Sequence, residues 1–347
     1  MSCPDLDRFK QRRASTICVA VLALMGGAMV FVFALPAGAQ QDGQAPVFRV
    51  EVDLVLLNIA VTDRGGRYIR GLRPEHFRVF EDGIPQKLAG FGEAGGRTEQ
   101  VSAERPLPAD LAGSNIFILF DTSNFMYKGF VYAQDAISDF IRSLEPADSV
   151  AVYGFSRNLL RASPLTPDRR QALVGVREVV AGDDTSLYNA LLLTLQDAAR
   201  VPGRKVVVVF SNGPDNSSMI SPEAVREFAE SEGIAIYMIS TQELAKDEIS
   251  AAVFERLASR SGGKAYFART WQKQAEAFTS VREDLANLYL LSYYPAQNAN
   301  TGWRTITVEL SGEQYKKLRI RTRTGYRPKQ ALDQVALPGV TFTAGQE

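Results

Sequence analysis

The chain has 347 residues, of which 46% are apolar, and its 39 basic and 39 acidic residues give a formal net charge of zero. A chain of this length can form about two domains, each with its own hydrophobic core. The sequence contains no basic patch of the kind that binds nucleic acid, so nucleic acid is not expected as a partner.

The first 39 residues have the organisation of a signal peptide. A basic segment, 8–13, precedes an uncharged apolar run, 16–35, and residues 37–39 form an Ala-Gly-Ala cleavage motif. We expect export, with cleavage after Ala39, so that the mature protein is periplasmic or secreted. The apolar run is also long enough, at about 20 residues, to remain as an inner-membrane anchor if cleavage does not occur.

Both cysteines of the chain, Cys3 and Cys18, belong to this leader. The exported part therefore has no cysteine. This excludes a disulfide framework and a cysteine nucleophile from the exported protein, whose stability must come from packing.

The N-terminal β segment, 46–98, alternates apolar and polar residues. The pair Asp82-Gly83 is a typical hairpin turn within it. A connector rich in Gly, Pro and Ala follows, and it predicts a domain boundary before residue 113. Three strands are predicted in this segment, over 47–62, 77–81 and 87–91.

Strands and helices alternate between residues 113 and 288. The continuous apolar runs 116–120 and 206–210 are typical of strands that are buried on both faces. The alternation predicts an α/β domain, namely a doubly wound, mainly parallel sheet of six strands flanked by helices. The predicted strands are 116–120, 150–155, 159–162, 206–210, 234–240 and 264–268, and the predicted helices are 129–144, 168–180, 187–200, 222–232, 247–260 and 272–288.

The C-terminal segment, 289–328, returns to a β pattern. Strands are predicted over 289–294, 303–310 and 318–324. Because sheets of two or three strands are rarely stable alone, this segment is expected to pair with the N-terminal one. The two would form a small β-sandwich from which the α/β domain emerges as an insertion, and residues 329–347 would form a weakly ordered tail.

Oxygen-bearing side chains are concentrated on three loops of the α/β domain. The carboxyl ends of parallel strands meet at one edge of a sheet, so these loops are expected to converge there. Carboxylate, hydroxyl and amide oxygens suit Mg²⁺, Mn²⁺ or Ca²⁺, and the lack of nearby His or Cys argues against zinc. The side chains are those of Asp121, Ser123, Asp184, Thr185, Asn212 and Asp215.

Several stretches combine into a recognisable pattern. Within the α/β domain they are Phe-Asp-Thr-Ser at 120–123 and the segments 148–156, 185–191 and 210–213, and outside it they are 77–83, 293–295 and 325–326. This combination resembles the von Willebrand factor A (VWA) domain, and nearly the whole mature chain is similar to the exported VWFA-related proteins of Acidobacteria. The resemblance implies a metal-ion-dependent adhesion site (MIDAS). In such a site an Asp-x-Ser-x-Ser loop, a threonine and a second aspartate hold a divalent cation, which then binds a carboxylate of a protein partner.

Three positions match the motif of that family, namely Asp121, Ser123 and Thr185. The second serine position holds Phe125, and the second aspartate position holds Asn212, which keeps an oxygen but loses a charge. The resemblance therefore implies a degenerate metal site. Its expected ligands are Asp121, Ser123, Thr185 and Asn212, and its expected partner-binding residues are Asn124, Phe125, Asp184 and Asp215.

The function expected from this pattern is an exported, non-enzymatic protein-interaction or adhesion module with an unidentified protein ligand. One alternative is a structural or envelope-assembly protein with a vestigial site. Asp121 could also serve only as a hydrogen-bonding cap of its loop, and Thr185 only as a helix N-cap. A phosphatase of the haloacid-dehalogenase type is a weaker alternative, because it needs a second acid where this chain has Ser123.

Overall fold

The computed structural model describes residues 54–94, 99–102, 113–211, 215–240, 248–268 and 270–329, with only the backbone described for Phe125, Tyr127, Lys128 and Glu248. The chain divides into two units, and all of the described residues belong to the second, Val50–Glu347. The leader, Asn212 and the tail from 330 onwards lie outside the described residues. No helix in the described part is long and apolar enough to cross a membrane.

Strands and helices follow one another in the predicted order. The strands are β1 (Val55–Thr62), β2 (Phe77–Glu81), β3 (Ile84–Gln86), β4 (Leu88–Glu93), β5 (Glu99–Gln100), β6 (Asn115–Asp121), β7 (Ser149–Phe155), β8 (Leu159–Thr166), β9 (Lys205–Ser211), β10 (Ala235–Ser240), β11 (Ala265–Phe267), β12 (Tyr289–Tyr293), β13 (Arg304–Leu310), β14 (Arg319–Arg321) and β15 (Gly325–Tyr326). The helices are α1 (Phe130–Ser143), α2 (Arg169–Glu178), α3 (Leu187–Ala199), α4 (Pro222–Glu232), α5 (Glu248–Ser261) and α6 (Trp271–Leu285).

The α/β unit contains a six-stranded sheet in the order β11-β10-β9-β6-β7-β8. All neighbouring strands are parallel except β8, which runs antiparallel to β7 at the edge. The predicted doubly wound, mainly parallel sheet is therefore confirmed. Strand β8 is longer than the sequence predicted, because it continues to Thr166 through two irregularities in its register with β7.

The two faces of this sheet are covered by different helices. Ile118 and Phe120 of β6 point into a core formed with α1, α2 and α6, whereas Phe117 and Leu119 point into a core formed with α3, α4 and α5. All four side chains are at most 2% exposed. Since successive side chains of a strand alternate between faces, a strand covered on both sides must be apolar throughout. This explains the unbroken apolar run at 116–120.

Two smaller antiparallel sheets combine strands from both ends of the described chain. Their strand orders are β14-β1-β12-β4-β5 and β15-β13-β2-β3. In the first, Leu57 of β1 lies opposite Leu291 of β12, and in the second, Val79 of β2 lies opposite Val308 of β13. Apolar side chains of both sheets share one core. The α/β unit is thus inserted between β5 and β12, as the pairing predicted from the sequence requires.

A buried ionic cluster connects the smaller sheets to the α/β unit. The carboxylate of Asp284 on α6 is fully buried and is paired with Arg321 at the end of β14. It also accepts hydrogen bonds from the hydroxyls of Tyr68, at 2.6 Å, and Tyr237 of β10. A buried charge is costly without its ion-pair and hydrogen-bond partners, and here those partners come from both parts of the fold.

Candidate functional site

The predicted loop edge is formed at the carboxyl ends of the central strands. Asp121 is the last residue of β6 and is fully buried. Its Oδ1 accepts a 2.8 Å hydrogen bond from the backbone N–H of Ser123, and its Oδ2 accepts a 2.5 Å hydrogen bond from Oγ of Ser211 at the end of β9. The carboxylate is therefore held in a fixed orientation by its own loop and by the neighbouring strand.

Two buried hydroxyl groups at this edge lack hydrogen-bond partners. Ser123 and Thr185 are 1% and 0% exposed, and among the described residues neither Ser123 Oγ nor Thr185 Oγ1 has a partner. A buried hydroxyl without a partner costs about 1–3 kcal/mol. Buried hydroxyls of this kind are usually paired with a ligand, an ion or a water.

The loop that carries Thr185 is attached to the loop that carries Ser123. The amide of Gly182 donates to the carbonyl of Thr122 at 2.7 Å, and the amide of Asn124 donates to the carbonyl of Asp183 at 2.9 Å. Gly182 is required for this approach, because a Cβ there would lie 2.3 Å from Oγ of Ser156. The backbone thus brings both unpartnered hydroxyls to the same edge.

The third loop holds Thr185 and α3 from the other side. Asp215 accepts hydrogen bonds from the amide of Tyr188, at 2.9 Å, and from the amide of Ser218, at 2.8 Å. Oδ1 of Asn216 accepts from the amide of Thr185 at 3.1 Å. Asp215 therefore stabilises the N-terminus of α3. The N-cap residue of this helix is Ser186, so the alternative that Thr185 is only a helix N-cap is wrong, and the hydroxyl of Thr185 has no partner in the described structure.

The remaining predicted site residues lie around these loops. Asp184 is paired with Arg157, and the side chain of Asn124 is exposed. The backbone of Phe125 lies in a 3₁₀ turn, Asn124–Gly129, that links Ser123 to α1. Asn212 lies outside the described residues.

Sequence reasoning missed two residues that shape the site, Ser211 and Asn216. The signal in the sequence was the position of Ser211 directly after the apolar run 206–210, which favours burial of its hydroxyl. The structure shows Ser211 fully buried and bonded to Asp121. Nothing in the sequence around Asn216 indicated that its side chain would bind the backbone of Thr185.

The donor set at this edge consists of hard oxygen atoms with little charge. It contains the carboxylate of Asp121 and the hydroxyls of Ser123 and Thr185, which suit a small divalent cation. Across the described ranges no group of three or more His, Cys, Asp or Glu side chains could hold a metal ion. The residues present thus fit a cation that keeps several waters better than one that needs a full protein cage.

Comparison with known proteins matches the α/β unit that carries this edge to a protein family. The family model of the von Willebrand factor type A domain matches residues 115–280, which extend from the first strand of the central sheet into its last helix. A search of curated proteins gave no match.

Solved structures with low sequence identity resemble about half of the chain. They include BatB from Bacteroides thetaiotaomicron (16% identity, 50% of this chain and 99% of that chain, TM-score 0.42). They also include the vWF domain of the type V pili tip protein Mfa5 from Porphyromonas gingivalis (10% identity, 49% of this chain and 94% of that chain, TM-score 0.41). A third is proximal thread matrix protein 1 from the mussel byssus, with a zinc-occupied MIDAS motif (16% identity, 55% of this chain and 50% of that chain, TM-score 0.42). Residues 115–280 of this chain form a von Willebrand factor type A domain.

Proposed function

We propose that this protein is an exported, non-enzymatic interaction module whose VWA domain binds a divalent cation and a protein partner at the carboxyl edge of its sheet. The observation that carries the proposal is the pair of buried, unpartnered hydroxyls of Ser123 and Thr185 beside the buried carboxylate of Asp121. A bound cation would supply both hydroxyl oxygens with the partner that the described residues do not.

Asp121, Ser123 and Thr185 would hold the cation, with the amide oxygen of Asn212 as a fourth ligand. An ionised carboxylate offers about four acceptor sites, so Asp121 can be held by Ser123 and Ser211 and serve a cation as well. With one charged ligand the site would be weak, and Mg²⁺ or Mn²⁺ would retain several waters. One of these waters would be exchanged for a carboxylate oxygen of the partner.

The partner surface would surround the cation. Asn124 is exposed on one side, and Asp184 and Asp215 lie on the two neighbouring loops. Phe125 replaces a hydroxyl ligand with an aromatic ring, which would shift part of the binding energy from the metal-bridged carboxylate to apolar contact. The partner expected is therefore a protein with an accessible carboxylate next to an apolar side chain.

Calorimetric titration of the purified protein with Mg²⁺, Mn²⁺ and Ca²⁺ tests this proposal. We expect weak, saturable binding, and we expect Thr185→Val to lower the affinity at least about tenfold, because it removes one ligand oxygen without changing the shape of the side chain. Thr194→Val is the matched control, since Thr194 is equally buried but already donates to the carbonyl of Ala190. Absence of binding at millimolar metal, or equal loss in both variants, contradicts the proposed site.

A second candidate is a structural or envelope-assembly protein with a vestigial metal site. It is favoured by the engagement of the edge carboxylates in the fold, since Asp121 is held by Ser211, Asp184 by Arg157 and Asp215 by backbone amides. Partner capture that is unchanged by a chelator and by Asp121→Asn would favour this candidate. The phosphatase alternative still lacks its second acid, because Ser123 occupies that position.

Export is part of the proposal and has its own test. Cleavage after Ala39 predicts a mature chain that begins at Gln40, which the intact mass of the protein recovered from its producing cells would establish. A mass that includes the leader, with the protein in the membrane fraction, would instead indicate that the apolar run is retained as an anchor.

A further inference from the structure

A second candidate site lies at the opposite end of the central sheet. A cavity of about 630 Å³ is lined by the start of β9, the end of α4, and parts of β1 and β15. Lys205 begins β9 and lines the cavity, whereas Ser211 ends the same strand beside Asp121. Seven residues of strand separate the two places by roughly 20 Å. The cavity is thus independent of the proposed metal site.

The lining of this cavity is strongly cationic. Six basic side chains line it against one carboxylate, that of Glu232. Three of the six have acidic partners, since Arg304 pairs with Glu81, Arg327 with Glu227 and Lys329 with Glu232. The other three are Arg204, Lys205 and Arg323, and none of them forms an ion pair with a described residue.

These three cations are only partly satisfied by the fold. Arg204 donates to the carbonyl of Leu285 at 2.7 Å, and Arg323 donates to carbonyls that include that of Glu230 at 2.6 Å. Both guanidinium groups are nearly buried, at 7% and 6% exposure, and within the described structure both Nε atoms lack a partner. The ammonium of Lys205 has no hydrogen-bond or ion-pair partner in the same part of the chain.

Their burial has an electrostatic consequence. Desolvation lowers the pKa of Lys205 and of both arginines, because the charged form is disfavoured away from water. Asp148 and Asp284 lie close enough to Arg204, and Glu232 close enough to Lys205 and Arg323, to offset part of these charges. The lining of the cavity nevertheless holds six basic side chains and one carboxylate, so an anion bound there would be favoured.

The rest of the lining adds an apolar surface. Leu54, Leu290 and Pro295 contribute to the wall. The volume lies within the range of about 300–1,000 Å³ that is typical of small-molecule sites. The cavity therefore offers cations for an acidic group and an apolar wall for the remainder of a molecule.

From these observations we infer that the cavity binds the oxyanion group, a phosphate or a carboxylate, of a small organic molecule. Lys205, Arg204 and Arg323 contact the oxyanion, and the apolar wall that includes Leu54 and Leu290 contacts the remainder of the molecule. Because the cavity lies between the α/β unit and the smaller sheets, the bound anion also stabilises the junction of the two.

Isothermal titration of the purified protein with inorganic phosphate, and separately with succinate, tests this inference and distinguishes the two oxyanions. Saturable binding of at least one of them is expected. Lys205→Gln should weaken it at least about tenfold, because the variant removes a desolvated counter-charge. Lys316→Gln is the matched control, since Lys316 pairs only with exposed Glu313 and does not line the cavity.

The thermal midpoint provides a second readout that does not depend on heats of binding. The anion that binds should raise the midpoint of the wild type and of Lys316→Gln, but not that of Lys205→Gln. Failure of both anions to bind overturns the inference. Equal binding to wild type and Lys205→Gln also overturns it, because the anion would then be attracted by the surface and not by the cavity.

Discussion

The hydroxyl of Ser211 donates a 2.5 Å hydrogen bond to Oδ2 of Asp121, which joins the ends of β9 and β6 at the centre of the loop edge. Both residues are fully buried. The bond fixes the one carboxylate of the proposed metal site before any metal binds. A site with few ligands depends on such preorganisation, because its ligands contribute little energy to correct a poor geometry.

Ser211→Ala should lower the free energy of unfolding by about 2 kcal/mol, since it removes a buried hydrogen bond to a charged group. Urea unfolding with a chelator present measures this directly. Ser217→Ala is the control, because Ser217 bonds Asn216 at an exposed position and should change stability by less than about 0.5 kcal/mol. Equal effects of the two substitutions would show that Asp121 does not need Ser211.

Thr185→Val should have the opposite effect to Ser211→Ala on the free energy of unfolding without metal. Without metal we expect the variant to be as stable as the wild type or more stable, because it removes a buried hydroxyl that has no described partner. With Mg²⁺ at ten times its Kd the wild type should gain about 1.4 kcal/mol and the variant far less. Unfolding curves with and without Mg²⁺ measure both effects. A large destabilisation of the variant in chelator would mean that the hydroxyl has a structural role.

Replacing the two residues that depart from the family motif with the family's own residues should strengthen the metal site. Phe125→Ser combined with Asn212→Asp adds a hydroxyl and a carboxylate, and a second charged ligand should raise the Mg²⁺ affinity at least about tenfold. Calorimetry compares the double variant with the wild type. Adding Asp121→Asn to the double variant should remove the gain, and a gain that survives this third substitution would place the metal elsewhere.

The fold could be predicted from the sequence because its main signals are local. The apolar runs 116–120 and 206–210 mark the two central strands. Each strand extends one residue beyond its apolar run at either end. Strands β3, β5 and β15 were not predicted, since two or three residues are too short to carry a periodicity. Strands β11 and β14 are equally short, but each lies within a longer segment that was predicted, 264–268 and 318–324.

The candidate site was predictable only in part, for the same physical reason. Asp121, Ser123 and Thr185 follow recognisable motifs, whereas the bond from Ser211 depends on β6 and β9 being neighbours in the sheet. The cationic cavity could not be predicted at all. Arg204 and Arg323 are far apart in the chain, and they line one cavity only because the C-terminal strands fold back onto the start of the central sheet.

Arg321→Met should destabilise the smaller sheets and the α/β unit together. The substitution leaves the buried carboxylate of Asp284 without its cation, at a cost of about 3 kcal/mol. The chain has two tryptophans, Trp271 on α6 and Trp303 before β13. A variant that keeps one tryptophan, with the other replaced by Phe, reports the unfolding of one part of the fold by its fluorescence. Both fluorescence transitions should shift to lower urea by the same amount. The neighbouring exposed Arg319→Met is the control, and a shift confined to Trp303 would contradict the coupling.

The raised pKa of Tyr153 predicts that the protein loses stability in alkaline solution. Burial, together with the hydrogen bond that its hydroxyl donates to Asp197 at 3.0 Å, raises its pKa to about 12 from an ordinary value of 10.0. Below pH 10 the tyrosine is protonated in both the folded and the unfolded chain, so its full contribution to stability is present. Between pH 10 and 12 the unfolded chain loses the proton while the folded chain keeps it, so the free energy of unfolding falls.

Tyr153→Phe isolates this contribution from those of the other tyrosines. The variant loses two hydrogen bonds, to Asp197 and from Arg161, and should be about 1 kcal/mol less stable than the wild type at pH 8. As the pH rises towards 12 this difference should shrink and then reverse by about 1 kcal/mol, because the variant has no hydroxyl to ionise in the unfolded chain. Urea unfolding of both proteins at a series of pH values from 8 to about 11.5 measures the difference directly. A difference that stays constant across the series would mean that the hydroxyl of Tyr153 ionises as readily in the folded protein as in the unfolded chain, and that its burial between β7 and α3 is not maintained in solution.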